Sequence, residues 1–214
     1  LRADLFPQAD MDLLYSKARA TLSSRLGSLA EQVKRTRYVP QDLMPRRKLF
    51  PAHLKNATLP VPILEFFNGF GGFSPDGREY VIVLKNNKTT PAPWINVIAN
   101  AKFGFQVSES GSGYTWAQNS RENQLTPWSN DPVSDPVGEA VYLRDEESGA
   151  FWSPAPAPTR APGSYTVRHG QGYSVFEHAG QGLAHEMLLF VPPRDPVKVI
   201  RLKVRNLGRR TRRL

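Results

Sequence analysis

The chain has 214 residues and no cysteine, which excludes a disulfide scaffold, a thiolate zinc site and a cysteine nucleophile, while the length supports one large domain or a domain with an appendage. No run of about 18 apolar residues occurs, so no segment reads as a membrane-spanning helix. The net charge of +9 conceals three zones, with the aromatic residues gathered in the acidic middle and the basic residues at the two ends, the reverse of the interleaved pattern that nucleic-acid binding requires.

Residues 1–60 carry eleven Lys/Arg against five acids. Within them, residues 9–39 are expected to form one amphipathic helix, because Leu13, Leu14, Ala18, Leu22, Leu26, Leu29 and Val33 recur at spacings of three and four. Asp10 or Asp12 suits its start, Lys34, Arg35 and Arg37 suit the cation-favouring C-terminal end, and Pro40 closes it. The stripe reads as a packing surface rather than a membrane or partner face. The chain thus divides into a helical segment 1–40, a Pro-rich basic connector 41–62 containing Arg46, Arg47 and Lys48, and a β-domain 63–214.

From residue 63 onward every cue is that of a β-protein. Ser-Pro-Asp-Gly at 74–77 is a tight turn and is followed by the strand 79–84; Lys-Asn-Asn-Lys at 85–88 is another turn. Further strands are expected at 94–99, 104–108, 139–143, 164–169, 173–178, 183–191 and 197–204, at the spacing of a sandwich or barrel. The glycine-rich 69–73 lacks the Lys-Ser/Thr and helix of a phosphate loop, and reads as a bulged strand or a close backbone passage. The Ser/Gly run 108–113 is a turn without the helix that a nucleophile elbow needs. His53, His169, His178 and His185 show no metal-ligand spacing and read as surface or strand histidines.

The segment 116–152 is the most distinctive part of the chain. Pro127, Pro132 and Pro136 make it a long stiff loop, and it holds Trp116, Trp128, Trp152, Asn119, Asn123, Asn130, Arg121 and Gln124 beside several acids. Flat indoles next to amides and carboxylates suit a sugar: the indole covers the apolar ring face, and the amides and acids bond the hydroxyls. The competing reading makes Trp128 and Trp152 core residues and the Asn and Asp side chains turn caps, and residue types alone leave both open. Asp131 and Asp135 are a carboxylate pair, but spacing within a Pro-rich loop does not give the separation that glycosidic-bond chemistry demands.

Residues 194–214 carry nine Lys/Arg against one acid. Residues 198–205 alternate strictly as a half-buried strand with a basic outer face; Asn206-Leu207-Gly208 is a turn, and 211–214 reads as the opening of a hairpin partner. An edge left without that partner is what natural sheets avoid, so the chain is expected to be a truncated domain and a piece of something longer.

Several blocks carry a family resemblance. Residues 68–73 with 79–82, residues 90–100 (Thr-Pro-Ala-Pro-Trp-Ile-Asn-Val-Ile-Ala-Asn), residues 103–105 with 110–116, residues 123–132 (Asn-Gln-Leu-Thr-Pro-Trp-Ser-Asn-Asp-Pro) and residues 169–173 closely resemble the N-terminal β-sandwich of family 94 glycoside phosphorylases, formerly glycosyltransferase family 36. The wording is nearest to the C-terminal module of bacterial cyclic β-1,2-glucan synthases. The resemblance covers about residues 60–214, and residues 9–39 resemble, more weakly, the segment preceding that module.

The resemblance implies an all-β fold with an N-terminal helix, an antiparallel β-supersandwich of galactose-mutarotase type, truncated here. It implies a non-catalytic part of a parent enzyme, a glycosyltransferase or phosphorylase, whose (α/α)6 barrel holds the general acid and binds inorganic phosphate. For this chain it implies no catalytic residue, metal or cofactor of its own. The sandwich supplies a loop to the glucan site, which maps Arg121, Asn123, Gln124, Trp128, Asn130 and Asp131 as substrate-binding residues. The implied partners are a β-glucan or oligosaccharide, the downstream barrel of the same parent chain and a second copy in a homodimer. The implied setting is the cytoplasmic side of a bacterial membrane-anchored synthase, with this portion itself soluble. The alternatives are an autonomous carbohydrate-binding module and a structural or dimerisation domain.

Overall fold

A computed structural model describes residues 7–17, 22–35, 59–60, 62–85 and 87–214. The chain divides into two units, residues 1–47 and residues 48–214.

In the first unit the expected single helix is instead α1 (Gln8–Lys17), a 3-10 turn (Ser24–Leu26) and α2 (Leu29–Arg35). Leucine spacing cannot override the local chemistry of Ser23, Gly27 and Ser28. The Ser23 side chain accepts from Arg25 N, and Gly27 then takes a positive φ of 89° that a helix cannot continue through. Ser28 and Glu31 restart the helix as a capping box: Ser28 N donates to Glu31 Oε2 at 2.8 Å and Glu31 N to Ser28 Oγ at 3.4 Å. Gln32 spans the break, donating to both Ser23 O and Gly27 O at 2.8 Å. Leu22, Leu26, Leu29 and Val33 are exposed, so the periodic stripe is not a continuous buried seam. Asp10 lies in the first turn of α1 rather than before it. The expected end of the helix at 36–40 and the connector through residue 58 lie outside the described residues, as does His53.

The second unit is antiparallel throughout. Its strands are β1 (Gly71–Phe73), β2 (Glu79–Leu84), β3 (Ile95–Ala99), β4 (Phe103–Ser108), β5 (Gly113–Ala117), β6 (Leu143–Arg144), β7 (Phe151–Trp152), β8 (Tyr165–Gly170), β9 (Tyr173–Gly180), β10 (Leu183–Phe190) and β11 (Val199–Asn206). The large sheet runs β1-β2-β8-β9-β10-β11; β3-β4-β5 form a second sheet, and β6 and β7 a ribbon. Period-two patterning explains the layering: Leu183, His185, Met187 and Leu189 of β10 are buried while Ala184, Glu186, Leu188 and Phe190 are only half-buried. Ile82, Leu84, Val167, Phe176 and Met187 from the large sheet meet Ile98, Phe105 and Val107 from the smaller one and Trp152 from the ribbon in a common core. This is the supersandwich that the sequence implied.

Polar side chains tie the layers. Asn96 of β3 donates to Gly170 O and Tyr173 O at 2.9 Å, and His169 Nε2 donates to Trp94 O at 3.1 Å while its Nδ1 accepts from Ser174 Oγ at 2.9 Å. The β9–β10 turn pairs Gly180 with Leu183 across Gln181 and Gly182, at φ 55° and 76°, the two positive values of the hairpin turn that matches strand twist.

Three expectations are corrected. Residues 139–143 are not a strand, because Glu139 is drawn into side-chain bonds with Thr115, Thr126 and Lys198 and only Leu143–Arg144 pair. Residues 113–117 are a full strand whose glycine was hidden in a turn signal: a Cβ on Gly113 would sit 2.0 Å from Gln106 O. Residues 211–214 are not a hairpin strand. Arg212 donates instead to the Asp145 carboxylate and to Gln181 O, and Glu146 N donates to Arg213 O at 3.0 Å, which binds the segment after β11 to the β6–β7 turn.

Candidate carbohydrate-binding groove

The loop after β5 starts as a tight turn. Gln118 is left-handed at φ 62°, and Asn119 Oδ1 accepts from Arg121 N and Glu122 N at 2.9 Å, a side-chain-capped turn. The chain then runs back along β5, with Leu125 N donating to Thr115 O at 2.8 Å, and Thr115 N donates to Thr126 Oγ1 at 2.8 Å. This return path places Trp128 over Tyr114, ring centroids 4.9 Å apart and planes 22° apart, and Tyr114 is itself 5.2 Å from Trp116. Tyr114 is buried, whereas Trp128 keeps 39% of its surface exposed. One indole face is packed and the other side of the residue meets solvent.

Two carboxylates pin this loop to the sandwich. Glu139 accepts from Thr115 Oγ1 at 2.5 Å, Thr126 Oγ1 at 2.6 Å and Lys198 Nζ at 2.5 Å. Burial pushes the Glu139 carboxyl up, but the bonds from Lys198 and the two threonines outweigh it and hold it below the usual range. Asp135, at φ 40°, accepts from Ser108 Oγ at 2.7 Å and Ser110 Oγ at 2.5 Å through the same oxygen. Ahead of both, Asp131 Oδ1 accepts from Val133 N and Ser134 N at 3.0 and 3.1 Å and shapes the turn that leads from Trp128 to Asp135.

The six residues mapped from sequence fall into two groups. Trp128, Asn130 and Asp131 come together and line a pocket of about 160 Å3 with Ile95, Gln106 and Asp135. Arg121, Asn123 and Gln124 sit on the exposed turn before it and do not line that pocket. Arg121 is beside Glu122 at 3.3 Å, and Gln124 donates to Ser120 O at 3.3 Å. Sequence reasoning missed Thr90, Glu109, Ser110 and Arg160, which line an adjoining pocket of about 510 Å3. Sequence signals touched that pocket only piecemeal, at Pro132, Asp135 and the Ser/Gly run, because its lining comes from four separate stretches.

Glu109 is buried, accepting from Thr90 Oγ1 and, at 2.7 Å, from Trp94 N. Burial raises its carboxyl above the usual range even though these bonds pull it down. Among the described residues no group of three His, Asp or Glu side chains is arranged to hold a metal ion. His169, His178 and His185 lie in strands, each bonded to a backbone carbonyl. No described helix is long and apolar enough to cross a membrane.

Comparison with known proteins gives a consistent picture. The profile of the glycosyl hydrolase 94 supersandwich domain matches residues 78–214. The chain is 37% identical over 226 residues to the cyclic beta-(1,2)-glucan synthase NdvB of Rhizobium meliloti (strain 1021), an alignment covering 100% of this chain and 8% of the synthase. It is 34% identical over 140 residues to the N,N'-diacetylchitobiose phosphorylase of Vibrio furnissii, covering 64% of this chain and 17% of that enzyme. Solabiose phosphorylase of Paenibacillus borealis is 30% identical over 158 residues, covering 68% and 19%. The chain therefore spans less than a fifth of the length of each relative.

Proposed function

The chain belongs to the glycosyl hydrolase 94 family through its supersandwich domain, and from that membership we propose that the loop around Trp128 binds a β-linked gluco-oligosaccharide for an enzyme whose chemistry lies elsewhere in a longer protein. The observation that carries this reading is the half-exposed Trp128 indole, backed by Tyr114 and flanked by Asn130 and Asp131 in one pocket. A backed indole is held flat without losing further freedom on binding, which favours stacking on a sugar ring.

The roles follow from the geometry. Trp128 supplies the platform, Asn130 supplies both donor and acceptor groups, and Asp131 supplies carboxylate acceptance at the rim. Glu139 and Asp135 hold the platform against β4 and β5. Asp131 and Asp135 are already engaged by Ser134, Ser108 and Ser110, which suits carboxylates that shape a loop rather than shuttle protons. Bond cleavage or transfer, the barrel that performs it and the inorganic phosphate of the phosphorylase relatives belong to the rest of the longer protein in this reading. So does the membrane-bound bacterial setting, whereas a homodimer contact through the sandwich falls to this chain itself.

Titrating β-1,2-linked gluco-oligosaccharides into the 214-residue chain and its Trp128→Ala variant tests the proposal. Saturable binding that weakens about tenfold in the variant is expected, the equivalent of roughly 1.4 kcal/mol. Binding indifferent to Trp128, or none, would discard it. The same chain, incubated with β-1,2-glucan and phosphate, is expected to release no sugar phosphate; turnover above background would place catalysis within these residues.

A further inference from the structure

The wall of the Trp128 pocket does not end at Asp135. Ala92, Pro93, Pro132 and Asp135 line both that pocket and the larger one of about 510 Å3, so the two adjoin along one rim. The larger pocket continues over Thr90, Glu109, Ser110 and Arg160. Pro91, Pro132 and Pro156 stiffen its mouth. Alone it lies within the roughly 300–1,000 Å3 of small-molecule sites, whereas the Trp128 pocket falls short of that range.

Its chemistry selects a class of ligand. Two carboxylates, Glu109 and Asp135, face a single guanidinium, and Arg160 already donates to Lys88 O at 3.0 Å and Leu84 O at 3.2 Å. An anion would meet net negative charge there, two carboxylates against one guanidinium. A neutral ligand rich in hydroxyl groups meets acceptors and hydroxyls instead. One acceptor stands ready at the junction: both serine bonds to Asp135 end on Oδ2, which leaves Oδ1 without a donor among the described residues.

We propose that the two pockets form one groove for a single oligosaccharide chain, with one ring on Trp128, a hydroxyl on Asp135 Oδ1 at the junction and the following rings over Thr90, Ser110 and Arg160. This rests on the Trp128 reading and extends it from a single-ring contact to a length-selective site. Glu109, through Thr90 and Trp94 N, is a positioning residue that fixes the 89–94 wall.

The test is calorimetric titration of the chain with β-1,2-linked di-, tri- and tetrasaccharides, beside a Thr89→Trp variant. Thr89 is exposed and lines only the larger pocket, so an indole there obstructs the outer half without touching the core. Affinity is expected to rise about tenfold from disaccharide to tetrasaccharide, and Thr89→Trp to abolish that rise while leaving disaccharide binding unchanged. Inorganic phosphate is expected not to compete. Equal affinity at every length, or displacement of the tetrasaccharide by phosphate, overturns the extended groove and leaves the Trp128 contact standing. Absence of binding at every length overturns both.

Discussion

Trp128 and Trp152 lie in the same 37-residue stretch that composition alone could not resolve, and the structure gives them opposite roles. Trp152 is 2% exposed in the core of the sandwich; Trp128 leans on Tyr114 with one side open. Trp152→Ala is therefore expected to cost about 3–5 kcal/mol of stability through lost contacts and a cavity. Trp128→Ala is expected to move the melting temperature little while weakening sugar binding, and melts beside titrations separate the two. No pattern around either indole distinguishes them, because what differs is which strand passes behind the ring.

The histidines make a second residue-scale prediction. His169 and His185 are held by burial at pKa values of about 4, and burial also lowers His178. With folded values below the unfolded value near 6.5, the unfolded chain binds more protons between about pH 6.5 and pH 4. Stability is unaffected by these groups above that window and is expected to fall through it, by up to roughly 1.4 kcal/mol per pH unit per imidazole. Denaturant melts at pH 7, 5.5 and 4.5 check this, and His185→Gln is expected to flatten the slope; a stability that rises on acidification would contradict it.

At the scale of elements, strands were legible where β-rich apolar runs follow turn signals or where apolar and polar residues alternate. Residues 79–84 match β2 residue for residue, and 183–191 and 197–204 differ from β10 and β11 by one or two residues. The first helix and residues 139–143 misled because a few hydrogen bonds outweigh pattern: a capping box at Ser28 in one case, and Glu139 gripping Thr115, Thr126 and Lys198 in the other. Glu139 lies 59 residues from Lys198, and no local signal reveals such a partner. Glu139→Gln keeps the shape but removes the charge that Lys198 faces at 2.5 Å. It is expected to destabilise by about 2 kcal/mol, less than a fully buried pair because both groups retain some solvent contact, and to weaken sugar binding by loosening the loop.

Arg212 plays the corresponding part for the far ribbon. Its guanidinium joins the buried Asp145 carboxylate and Gln181 O, so one side chain holds the β6–β7 turn, the β9–β10 turn and the segment after β11. Arg212→Ala strands the Asp145 carboxylate and is expected to cost about 3 kcal/mol, a melting shift of roughly 6–12 °C for a chain of this size. Thermal unfolding followed by circular dichroism reads it directly.

For the whole molecule, the charge zones acquire a structural meaning. The basic run 194–214 supplies β11, where Arg201 and Lys203 both meet Glu186 on the outer face at 3.1 Å, and Lys198 turns inward to Glu139. It is an edge strand with charged relief, as sheets use against unwanted pairing. The acidic middle supplies the carboxylates that line and brace the groove. Family and sandwich architecture were legible because short blocks such as 90–100 and 123–132 keep their wording. The groove was not, because residues 89–93, 109–110, 132–135 and 156–160 meet only in the folded state.

The central claim, that the Trp128 loop binds a β-linked oligosaccharide, is tested most directly by the indole N–H resonances of the chain's four tryptophans during titration with a β-1,2-linked tetrasaccharide. The account predicts a saturable shift of the Trp128 signal, with Trp152 unmoved and the response lost in Trp128→Ala. A Trp128 resonance that stays in place while sugar binds, or a titration that moves none of the four, would contradict it.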